Sequence, residues 1–64
     1  MYYVQWKIDA SIWQGEKKYH SLGAALREAC VEAQMVSDMP HRVIKIKKSG
    51  KVKVLAKFKP LRDE

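Results

Sequence analysis

Seven lysines and no acid stand between Val43 and Lys59, in the segment VIKIKKSGKVKVLAKFK, and apolar residues occupy nearly every other position there. Side chains two apart on an extended strand share a face, so this spacing gathers ammonium groups on one side. Lysine is a flexible point charge, better suited to sequence-tolerant contact with phosphate than to bidentate reading of a base. Near the N-terminus, Tyr3, Lys7 and Trp13 fall at the odd positions of a second alternating segment. Aromatic rings beside basic residues on an open sheet face are what single-stranded nucleic acid uses, with each base stacked on a ring contributing about 1 to 3 kcal/mol. The candidate nucleic-acid-binding set is therefore Lys45, Lys47, Lys51, Lys53, Lys57, Lys59, Tyr3 and Trp13.

The same lysines also fit the plain wet face of a small sheet, where charge keeps edges from associating. Their uniform sign favours a binding role, because surfaces built for solubility mix both signs. Trp13 has a packing role open to it, folded over a strand end near Gly15, and either aromatic could shelter Val43 or Leu55.

Other chemistry is thinly represented. Cys30 belongs to an apolar helical stripe, where a thiol packs as a small hydrophobe, and with His20 and His41 it finds no third ligand at metal spacing. Glu28 and Glu32, four apart, form a solvated helix face with mild repulsion rather than a catalytic pair. No catalytic residue, metal or cofactor is expected, and the chain is not expected to be an enzyme.

The chain has 64 residues and a formal net charge of +6. That length forms one small basic domain, 1–64, with a stability of about 3 to 10 kcal/mol and no room for a deep cleft. The charge is unevenly spread: residues 1–40 sum to −1 and residues 41–64 to +7. Such asymmetry points to an anionic partner, either nucleic acid or an acidic protein surface. No apolar run reaches the ~18 residues of a membrane span, and the lone Cys30 suits a reducing compartment, so a cytoplasmic protein without a membrane partner is expected.

The elements that would position these side chains follow from periodicity. From Tyr2 to Trp13 the even positions are apolar, the pattern of a half-buried strand. Residues 14–18 then break it with Gly15 and charge, predicting a loop that could lead into a short extra strand at Lys17 to His20. Ser21 is a natural N-cap, and Leu22, Leu26, Ala29, Cys30, Ala33 and Val36 recur at helical spacing, predicting a helix that ends near Ser37, ahead of Pro40. Alternation returns after Pro40, with Ile44 and Ile46 assigned to the core. The turn falls at Lys48 to Lys51, around Gly50. Val52, Val54, Ala56 and Phe58 then face inward.

The predicted fold is α+β: a β-α-β-β chain making a three-stranded antiparallel or mixed sheet with one helix on one face. The last strand is preferred in the middle, with the His41 segment as the alternative. The first strand, long and nearly uncharged, is then an edge through which two copies could pair into a homodimer. The segment YHSLGAALREA resembles, in outline, parts of small α+β proteins that include phage-encoded inhibitors of host enzymes. That resemblance implies an alternative function, a small regulatory protein that binds and inhibits a host protein by its basic face or edge strand, and it assigns no site residue.

Overall fold

Tyr2–Asp9 forms β1 and Ile12–Tyr19 forms β2, paired as an antiparallel hairpin, in a computed structural model that describes residues 1–9, 12–36 and 39–60. Ala10 and Ser11, which the sequence assigned to the first strand, and Ser37, where it ended the helix, lie outside the described residues, as does Asp38. The strand alternation holds over the first part of β1, where Val4 is buried at 2% exposure with Tyr2 and Tyr19 packed beside it. The single strand expected to reach Trp13 is two: β1 ends at Asp9, Trp13 belongs to β2, and Ile8 and Ile12 are exposed. The break at Gly15 is a register shift within the hairpin, lying between the Val4–Lys17 and Trp6–Gln14 pairs. Gly15 has φ +120°, and a β-carbon there would lie 2.4 Å from the Trp6 ring. Only glycine admits both the backbone angle and the indole.

Ser21 caps α1, Leu22–Val31, with its Oγ accepting from the Ala24 amide at 3.4 Å. A π-helical turn, Glu32–Val36, continues it. The buried line is Ala25, Ala29 and Ala33, each at 0% exposure, with Leu26 and Cys30 half-buried beside it. This rotates the expected stripe slightly, leaving Leu22 and Val36 exposed. A row of alanines at four-residue spacing lets the helix approach the sheet closely.

The remaining strands are β3, His41–Ile46, and β4, Val52–Phe58. The sheet has four strands in the order β2-β1-β3-β4, all antiparallel. This corrects the three-stranded expectation. Because β2 reverses the chain before α1, the helix returns it antiparallel to β1 rather than parallel. β4 is an edge, not the centre, and β1 is bonded on both sides. Strand addition to this sheet therefore falls to β2 and β4, not to the first strand. The core cluster of Val4, Ala25, Ala29 and Val43, flanked by Tyr2, Tyr19, Leu26, Leu55 and Phe58, lies between α1 and one sheet face. No helix among the described residues is long and apolar enough to cross a membrane.

Candidate nucleic-acid interface

Directly paired residues of neighbouring strands share a sheet face, so the register assigns every side chain of β3. Val43 pairs with Val4, and both belong to the core under α1. Tyr3 pairs with Ile44 and Gln5 with Arg42, which puts these four on the opposite, open face. Ile44 and Ile46 thus do not point at the helix, contrary to expectation. Ile44 is nonetheless 2% exposed, with Tyr3 and Val54 as its cross-strand neighbours.

A bulge does the same to β4. Val43 pairs with Ala56 but Ile44 pairs with Val54, so Leu55 is the extra residue. Leu55 packs against the helix-side cluster, as does Phe58. Before the bulge the alternation is inverted, with Val54 and Val52 on the open face and Lys53 on the helix side. The expected division into one apolar row and one lysine row does not stand: Ala56 and Phe58 keep the helix side and Lys57 the open face, while on the far side of the bulge Val52 and Val54 take the open face and Lys53 the helix side.

The eight candidate residues are consequently divided between two faces. Lys45 and Lys53 are direct partners on the helix-side face. Lys47 and Lys51 continue that row at the hairpin end, where the Lys47 amide donates to the Lys51 carbonyl at 2.8 Å. Gly50 closes the turn with φ +88°, its amide donating to the Lys47 carbonyl at 2.8 Å. Lys57 is on the open face opposite Arg42, and Lys59 is exposed beyond the end of β4. Tyr3 and Trp13 are also on the open face, opposite Lys18 and Lys7 respectively.

Trp13 is half-buried beneath cations. The Arg42 guanidinium lies 4.4 Å from its ring centroid and the Lys7 ammonium 5.9 Å. Arg42 Nε donates to Gln5 Oε1 at 2.8 Å, which fixes the fork over the indole. Partial burial draws the guanidinium below its usual range, and it stays charged. Trp6 lies on the other face, against buried His41, with ring centroids 6.2 Å apart. His41 Nδ1 donates to the Met39 carbonyl at 2.7 Å.

Beyond the Tyr2–Lys45 pair the β3–β4 hairpin continues as an arm, and all ten residues from Lys45 to Val54 are exposed. The arm has two unlike faces. One carries the rungs Lys45–Lys53 and Lys47–Lys51, and the other carries Ile46–Val52 with Val54. Like charges directly opposite on neighbouring strands destabilise a sheet, yet both Lys45–Lys53 and Arg42–Lys57 are such pairs. No acid occurs between Asp38 and Asp63 in the sequence, so neither β3 nor β4 supplies a counter-charge of its own. By contrast Lys17, on β2, reaches Glu28 on α1 at 3.4 Å, and Tyr19 and then Glu28 raise its ammonium above the usual range.

Arg42, Lys48, Ile46 and Val52 join the surface although the sequence did not select them for it. Arg42 carried a signal: placing Ile44 and Ile46 in the core also placed a guanidinium there. Compared with known proteins, the chain matches no family model, no curated protein and no solved structure.

Proposed function

We propose that the protein is a small binding module that contacts nucleic acid through the β3–β4 arm, with weak sequence specificity. The observation that carries this is the run of opposed lysines on one face of the arm, Lys45–Lys53 and Lys47–Lys51, on strands that contain no acid. Such pairs cost stability in the free protein, and a polyanion laid along them turns that repulsion into attraction. Lys48 at the exposed end extends the same charge. Lysine's lack of a rigid fork suits contact with the phosphate backbone rather than with particular bases.

The test is fluorescence anisotropy with labelled oligonucleotides at 50 and 200 mM salt. Five or six lysines on phosphates give a slope of log affinity against log salt of about −4 to −5. Absence of binding at the lower salt overturns the proposal.

A further inference from the structure

We infer that the β3–β4 arm recognises double-stranded DNA and lies in its major groove. This rests on the nucleic-acid proposal above and names its substrate. Three observations argue for a duplex over a single strand.

The first concerns aromatic rings. Proteins that hold single strands offer free ring faces on which bases stack. The arm has none, since no Phe, Tyr or Trp occurs from Val43 to Lys57. Elsewhere on the sheet, the Trp13 ring already carries Arg42 at 4.4 Å and Lys7 at 5.9 Å, and the Tyr2 ring carries Lys45 at 5.9 Å. At Trp13 and Tyr2, arginine and lysine lie over ring faces that bases would need.

The second concerns dimensions. Past the Tyr2–Lys45 pair the ribbon runs on through Ile46 and Lys47 to its turn, a reach of roughly 10 Å at the usual strand rise. The major groove of B-form DNA is about 8.5 Å deep and about 12 Å wide and admits a two-stranded ribbon.

The third concerns the apolar rung. Ile46 is 45% exposed, Val52 53% and Val54 40%. Contact with phosphates alone would leave this surface wet. In a major groove the lysine rungs meet one phosphate wall while Ile46 and Val52 are covered against base edges, where thymine methyl groups offer an apolar partner. A-form RNA closes its major groove to such an insertion.

The experiment compares three labelled probes of equal length, duplex DNA, single-stranded DNA and duplex RNA, against the wild type and two variants. The wild type should bind duplex DNA about tenfold or more tighter than the other two. Ile46→Ser with Val52→Ser, at exposed positions, should weaken duplex DNA binding severalfold with an unchanged salt slope. Lys45→Gln with Lys53→Gln relieves a repulsive pair, so it retains the fold, and should make the slope shallower by about 2. Equal or tighter binding of single strands or RNA, or an unaffected Ile46/Val52 variant, overturns the groove assignment and leaves nucleic-acid binding standing. Failure of every probe at 50 mM salt overturns both.

Discussion

Gly15 and Gly50 both have positive φ, at +120° and +88°, but their surroundings differ. A β-carbon at Gly15 meets the Trp6 ring at 2.4 Å, whereas nothing lies within 4 Å of the same position at Gly50. Gly15→Ala therefore adds overpacking to backbone strain and should cost about 2 to 4 kcal/mol, while Gly50→Ala should cost about 1 kcal/mol through the turn angle alone. Urea denaturation of both variants measures the difference. Equal losses would show that Trp6 does not lie over the bulge. The contrast extends to function, because Gly15 supports the strand that carries Trp13, while Gly50 closes the arm itself.

At the scale of the element, β3 and β4 hold their cations against their own stability. Replacing one member of an opposed pair by an acid should change both properties in opposite directions. Lys53→Glu, facing Lys45, should raise stability by a few tenths of a kcal/mol and weaken nucleic-acid binding severalfold. Thermal melts and anisotropy on one preparation check it, and a clear loss of stability would mean that the two side chains do not share a face. These strands also show how far the sequence could be read. Their positions followed from alternation and from Gly50, and the helix start followed from Ser21. Their facing did not. Val43 and Ile44 are adjacent and both apolar, so HRVIKI supports either parity, and the choice depends on the partner strand. Leu55 is the one apolar residue at a lysine position of the alternation, which marks the irregularity but does not say that the strand bulges there or which side changes face. β2 was obscured for a related reason: Gly15 looks like a loop when it is the point at which a continuing strand makes room for Trp6. The candidate lysines were thus identifiable by residue type, but their division between two faces is a property of pairing.

For the whole molecule, the salt response is where the charge arrangement and the thin core meet. The structure extends over 38 × 24 × 15 Å, and Val4 and Val43 are its largest fully buried side chains among the described residues. With so little apolar volume the stability margin is small, and for a chain this short each kcal/mol moves the melting temperature by about 4 to 8 °C. Simple salt screens the repulsion among the arm's cations and should raise the melting temperature of the free protein by several degrees between 20 and 300 mM. With DNA bound, the salt dependence should run in the opposite sense. At a ligand concentration 100 times Kd binding contributes about 2.7 kcal/mol, more than 10 °C here, and that gain should vanish as salt releases the complex. Differential scanning fluorimetry across the salt series should then give two curves, one rising and one falling, that converge at high salt. A free protein that melts earlier as salt increases would mean that attraction already dominates its surface, with the Lys45–Lys53 and Arg42–Lys57 pairs neutralised within the chain, and the physical reason for an anionic partner would be gone.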